Sequence, residues 1–125
     1  MRQLGELEAA VMDRLWSWDR PTSVREVLDD LNRERDLAYT TVMTVMDNLH
    51  RKGLLARDRD GRAYRYRPTA SREEYTAELM EAALAAGGDR TAALLRFVDR
   101  MDRAEAAALR KALEVAGRRR KGSRR

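Results

Sequence analysis

The chain contains no cysteine, one histidine, one phenylalanine and two prolines among 125 residues. Without cysteine there are no disulfides, thiolate metal sites or cysteine nucleophiles, a composition that fits a reducing cytoplasm. The single His50 cannot form a histidine cluster, so neither a metal site nor a cofactor is expected. Long apolar runs are missing as well. Nothing approaches the ~20 residues needed to cross a bilayer, and Met1-Arg2-Gln3-Leu4-Gly5-Glu6 has no signal-peptide core. The expectation is a soluble, cytoplasmic protein without membrane association. Catalytic machinery is equally scarce: carboxylates are scattered over helix faces, and there is no nucleophile motif and no glycine-rich loop after a strand. No catalytic residue is assigned, His50 is read as a helix-end residue, and Gly87-Gly88 as a helix stop.

What the chain has is charge and helical period. Hydrophobic residues make up 43% and charged residues 38%, enough apolar material to fold beneath a heavily charged surface. The net charge is +5, which favours an anionic partner. Its distribution is uneven. Residues 1–38 carry six Arg against nine acidic residues, whereas residues 39–70 carry seven basic residues against three acidic ones. A second basic block, Arg118-Arg119-Arg120-Lys121-Gly122-Ser123-Arg124-Arg125, reads as a disordered tail over 117–125.

Leu4, Leu7, Val11, Leu15 and Trp18 recur at helical spacing and predict a first helix. Ser23-Val24-Arg25-Glu26 is a capping box opening a short second helix with Val24, Val27, Leu28 and Leu31 inward. A third helix spans about Thr40 to Lys52, with Val42, Val45, Met46 and Leu49 inward, Met43 also filling core space, and Gly53 at its C-terminal stop. Around Asp58-Arg59-Asp60-Gly61-Arg62 the chain turns, and Leu54–Arg57 and Ala63–Arg67 read as the two strands of a hairpin closed by the Asp60-Gly61 pair. Ser71-Arg72-Glu73-Glu74, the segment after Gly87-Gly88 and Asp102-Arg103-Ala104-Glu105 then start three amphipathic helices. The fold expected is mainly α with a small β-hairpin wing: a winged helix-turn-helix domain over 1–69 and a helical dimerisation region over 70–116. Helices with no β layer to cover them bury their stripes most economically against a second copy. The candidate pairing residues are Tyr75, Leu79, Leu94, Leu95, Phe97, Val98, Met101, Leu109 and Leu113.

A helix fits the DNA major groove, where short hydroxyl and amide side chains approach base edges and Arg reaches guanine. Thr40, Thr41, Thr44, Asn48 and Arg51 supply such groups on the face of the third helix opposite its apolar stripe. Arg59 and Arg62 at the hairpin tip, with Arg57, Arg65 and Arg67 along its strands, suit phosphate or minor-groove contact. Each of these residues alone reads equally well as a solvated surface group, and the inference rests on their arrangement. Tyr64 and Tyr66 either pack onto a helix or form a stacking platform for bases.

Leu4-Gly5-Glu6-Leu7-Glu8, the run from Ala38 to Leu49, Arg51-Lys52-Gly53-Leu54-Leu55 and Gly61-Arg62-Ala63-Tyr64-Arg65-Tyr66 together resemble the penicillinase repressor family. The resemblance covers the chain to about Val115. It implies a homodimeric winged-helix transcriptional repressor on a palindromic double-stranded operator, of the kind that controls β-lactamase and methicillin-resistance genes. Thr40, Thr41, Thr44, Arg51 and Lys52 would read or clamp DNA, and Arg62 would touch the backbone. In the antibiotic-resistance branch an upstream membrane sensor leads to cleavage between Asn and Phe; the matching bond here is Arg96-Phe97, with Arg in place of Asn. In the copper-responsive branch C-terminal cysteines bind metal, and this chain has none. The competing reading is a protein-interaction adaptor using the winged domain and the C-terminal helices.

Overall fold

The computed structural model describes residues 4–123. Its elements run α1 (Glu6–Trp18), β1 (Thr22–Ser23), α2 (Val24–Leu31), α3 (Tyr39–Arg51), β2 (Leu55–Asp60), β3 (Ala63–Pro68), α4 (Arg72–Ala86), α5 (Arg90–Asp99) and α6 (Arg103–Ser123). The chain divides into two compact units, 1–80 and 81–125, with the boundary inside α4.

Local chemistry explains most of these boundaries. Ser23 Oγ accepts from the Glu26 N–H at 3.2 Å, while Glu26 Oε1 accepts from the Ser23 N–H at 3.3 Å, the reciprocal box the sequence encodes. Burial pushes the Glu26 carboxyl up, but bonds from Arg20 and Ser23 outweigh it and leave the group below its ordinary value. Ser71 with Glu74 and Asp102 with Glu105 close the same kind of box at α4 and α6. At the other end of α3, Gly53 adopts φ 85°. Its N–H donates to the His50 carbonyl and the Leu54 N–H to the Leu49 carbonyl, both at 3.0 Å, forming a Schellman stop.

The core of the first unit joins Val11, Met12 and Leu15 of α1, Val24, Val27, Leu28 and Leu31 around α2, and Val42, Met46 and Leu49 of α3. Leu55 and Tyr66 carry the sheet into that core. The sheet has three antiparallel strands in the order β1-β3-β2, with Thr22 opposite Tyr66 and Arg57 also opposite Tyr66 on the other side. The expected wing had two strands. The third is a two-residue strand, too short to show any alternation in sequence. The loop also differs from expectation: Asp60 pairs with Ala63, so the connecting residues are Gly61 and Arg62. Only the first of them has positive φ, 68° at Gly61, the pattern of a type II′ turn with glycine at its leading central position.

Three further expectations change. Met43, expected in the core, is 41% exposed, because it sits at the edge of the α3 apolar stripe, about 60° round the helix from Met46. Tyr75, expected among the pairing residues, is buried inside the first unit, its ring centroid 5.5 Å from that of Trp16. The Trp16 indole N–H donates to the Ala70 carbonyl at 3.0 Å, so the start of α4 belongs with the winged fold and the unit extends beyond residue 69. Finally, α6 continues to Ser123 through most of the stretch expected as a disordered tail. Arg and Lys are good helix formers, and cations in the last turn suit the negative end of the helix dipole. Arg124 and Arg125 lie outside the described residues.

The Tyr75 hydroxyl is buried without a hydrogen-bond partner among the described residues. Tyr75→Phe should therefore leave thermal stability within about 0.5 kcal/mol of the parent, since it removes only an unsatisfied group. Tyr75→Ala should cost about 3 kcal/mol through the cavity left against Trp16. A chain cut after Met80 should keep the parent cooperativity in a thermal melt, and one cut after Pro68 should not. Equal melts for the two truncations would show that α4 adds nothing to the winged unit.

Candidate nucleic-acid interface

The helix-turn-helix geometry is set by α2, the connection 32–38 and α3. Asn32 clasps that connection: its Oδ1 accepts from the Leu37 N–H at 2.8 Å and its Nδ2 donates to the Leu37 carbonyl at 3.1 Å. Held this way, α3 buries Val42, Met46 and Leu49 and leaves Thr40, Thr41 and Thr44 exposed. Three hydroxyls within about one helical turn form a shallow polar surface. Tyr39 and Met43 flank it, 39% and 41% exposed, and the Arg25 guanidinium of α2 lies 5.1 Å from the centre of the Tyr39 ring. Neither flanking residue was among the expected contacts. For Met43 the angular position alone, at the border of the apolar stripe, could have suggested it.

Asp47 joins this helix to the wing. One carboxylate oxygen accepts from Arg51 and the other from Arg57 on β2, each at 3.0 Å. Arg51 also donates to the Asn48 side-chain oxygen at 2.8 Å. Of the expected helix contacts, Asn48 and Arg51 are thus tied to each other, and Lys52 is drawn to Glu8 of α1 at 2.6 Å. These side chains stay partly accessible, but a DNA contact would have to share or replace their present partners.

The wing sorts its own cations. Arg57 pairs with Asp47, Arg65 with Asp60 at 2.6 Å and Glu26 at 3.4 Å, and Arg67 with Asp58 at 3.8 Å. Tyr66 is buried, and Tyr64 is covered by Arg57 at 4.1 Å and Arg59 at 5.5 Å from its ring centre. The two tyrosines meet edge to face at 6.4 Å. Both rings are thereby engaged in packing, and neither is a free platform for bases. Among the described residues, Arg59 and Arg62 are the wing arginines that make no ion pair; Arg62 lies in the two-residue turn and Arg59 near the end of β2, opposite Tyr64.

In the second unit, Leu94, Leu95, Phe97, Val98 and Leu113 are exposed, whereas Met101 and Leu109 are half-buried. Leu79, also half-buried, belongs to the first unit with Tyr75. Arg96 and Phe97 fall within α5. A peptide bond inside a hydrogen-bonded helix reaches a protease only after local unwinding.

Three helices, a clasped turn, a polar helix face and a basic hairpin define a winged helix-turn-helix domain of the kind found in transcription regulators. The chain matches the model of the penicillinase repressor family over residues 4–115 and belongs to that family. It is 52% identical over 116 residues to "Transcriptional regulator BlaI" of Mycobacterium tuberculosis, in both the CDC 1551 and H37Rv strains, covering 90% of this chain and 84% of the relative. A solution structure described as the DNA binding domain of the repressor BlaI superposes with a TM-score of 0.50 at 26% identity, covering 58% of this chain and 88% of that one.

The link through Asp47 generates a direct expectation. Asp47→Ala should lower stability by no more than about 1 kcal/mol, because both ion pairs are solvent-accessible, yet hydrogen exchange across 55–68 should quicken. Arg51→Ala should leave wing exchange at the parent rate. A wing indifferent to Asp47 would mean that packing alone sets its pose.

Proposed function

We propose that this protein is a homodimeric repressor that binds a palindromic duplex operator and blocks transcription by occupying it, at genes of the β-lactam-resistance type. The observation that carries the reading is the exposed Thr40-Thr41-Thr44 face of α3 beside a wing tip whose Arg59 and Arg62 have no carboxylate partner among the described residues. In the major groove the threonine hydroxyls and methyls sit against base edges, while the wing tip meets phosphate or the adjacent minor groove. The family description and the DNA-binding name of the structural neighbour support the same reading. Pairing through Leu94, Leu95, Phe97, Val98 and Leu113 is supported by their exposure, since a patch of large apolar side chains left in water is costly and marks an interaction surface. Two subunits related by a twofold axis match a palindrome, which is why dimer and operator symmetry belong together.

A duplex recovered by binding selection from source genomic fragments tests the contacts. Arg59→Ala with Arg62→Ala should weaken binding and reduce the slope of log affinity against log salt by about 2 per subunit, near 0.9 for each phosphate that is no longer neutralised. Thr44→Ala should weaken the selected duplex more than a random one. An unaltered slope in the double variant would remove the wing tip from the interface.

Pairing is read by sedimentation. Leu95→Glu with Phe97→Glu should convert a dimer to a monomer that keeps its helix content, and should cost the selected palindrome at least tenfold in affinity, because the second half-site then binds without a linked partner. A variant that remains dimeric would move the interface elsewhere.

A further inference from the structure

The winged unit, residues 1–80, holds 14 basic and 15 acidic residues, so it has no net positive charge with which to attract DNA from a distance. Most of the arginines of its wing are already matched to carboxylates. The charge lies elsewhere. From Arg103 onward the chain carries nine basic residues against Glu105 and Glu114 alone, a surplus of seven, larger than the net charge of +5 for the whole chain.

This surplus is organised by a helix. α6 is continuous from Arg103 to Ser123. At about 100° per residue, Arg103, Arg110, Lys111, Arg118 and Lys121 fall within an arc of roughly 100°, interrupted by Glu114. Ala106, Leu109, Leu113 and Ala116 occupy the opposite side, so apolar contact there leaves the basic arc in solvent. The arc rises about 27 Å along the helix, at 1.5 Å per residue, and near its end Arg119 and Arg120 turn away from it, Arg120 in line with Leu109 and Leu113, so that the last turns are basic all round. The family match stops at residue 115, before this cluster.

We infer that the basic arc and C-terminal turns of α6 form a second, sequence-independent contact for duplex phosphates, adding non-specific DNA affinity to the little that the near-neutral winged unit supplies through its wing tip. The inference rests on the reading of the chain as a duplex-binding repressor. Two features favour a polynucleotide over an anionic membrane. Seven of the nine cations are Arg, whose planar fork bonds phosphate oxygens in pairs. The apolar side of α6 has no aromatic residue, and Leu109 and Leu113 are its only large side chains among alanines, a narrower apolar face than helices that lie in a bilayer surface present with Trp, Phe and Leu.

The test compares the full chain with R118Q/R119Q/R120Q/K121Q on a random-sequence duplex and on the genomic fragment selected by the parent, across a salt series. On the random duplex the variant should lose at least tenfold in affinity at about 0.1 M salt, and its salt slope should fall by about 3 to 4 per chain. The ratio of selected to random affinity should rise. R118K/R119K/R120K, which preserves charge, should keep the parent slope, and circular dichroism should show equal helix content in all three chains. A glutamine variant that binds the random duplex as the parent does overturns the inference and leaves the repressor reading intact. Loss of binding to phosphatidylserine-containing vesicles with unchanged duplex binding overturns it in favour of a membrane contact. A parent chain that binds no duplex removes the repressor reading itself.

Discussion

Burial of Leu55 and Tyr66 in the core built by α1, α2 and α3 is the constraint on which the placing of the wing beside α3 depends. Each comes from a different strand of the wing, and both are almost fully removed from water. At roughly 25 cal/mol per Å², burying one large apolar or aromatic side chain contributes a few kcal/mol. The half-buried but still solvent-accessible Asp47–Arg57 pair, at 3.0 Å, belongs to a class worth about 1 kcal/mol. Packing therefore docks the wing, and the ion pair adds a smaller tie between it and α3. Thr22 completes the arrangement: it is buried opposite Tyr66, and its hydroxyl donates to the Arg20 carbonyl, so a polar residue enters the core without an unsatisfied oxygen.

A count of charges along the chain overstates how electropositive the wing is. Residues 39–70 carry seven basic and three acidic residues, but Asp47, Asp58 and Asp60 are distributed so that each meets an arginine of the wing. Glu26, from a segment with the opposite charge balance, reaches Arg65 as well. Pairing across strands and between helix and hairpin leaves the cations at the turn as those without a carboxylate. The hairpin thereby avoids a self-repelling array along its strands, and the positive charge without an ion pair is concentrated at Arg59 and Arg62, near the turn. Discrimination at such a site comes from where the charge is placed rather than from how much there is.

The features legible from sequence are those determined within one turn of helix. The capping boxes at Ser23, Ser71 and Asp102 and the glycine stop at Gly53 need only residues three or four apart, and each forms as its spacing implies. The exposed threonines of α3 follow from the same period. What sequence concealed depends on partners far away along the chain. β1 exists because Thr22 and Ser23 meet Tyr66 and Arg65, and two residues cannot display a strand period. Tyr75 lies on an amphipathic stripe that looks like any other, and only Trp16, distant in sequence, draws it inward. The Lys52–Glu8 pair joins residues 44 apart in sequence, so no local spacing announces it. The helical state of 117–123 was hidden for a different reason: composition alone weighed the like-charge repulsion of the basic block, without the helix already propagating into it from Arg103.

The two units solve the problem of stability differently, and this bears on how function is divided. The first closes a core of its own, in which the side chains of three helices and two strands are fully covered. In the second, α5 has no buried residue at all, and its Leu94, Leu95, Phe97 and Val98 remain in contact with water. An isolated ten-residue helix is marginal in water whatever its composition, so α5 draws its stability from whatever covers that face. If a second copy covers it, folding of the second unit and pairing become one equilibrium, whereas the reading surface persists in either state. Any event that unwinds α5 would then act on pairing and leave the core of the first unit intact. Under the proposed pairing, losing the link would weaken the hold on a palindrome, because a half-site held alone forfeits the effective concentration that the partner supplied.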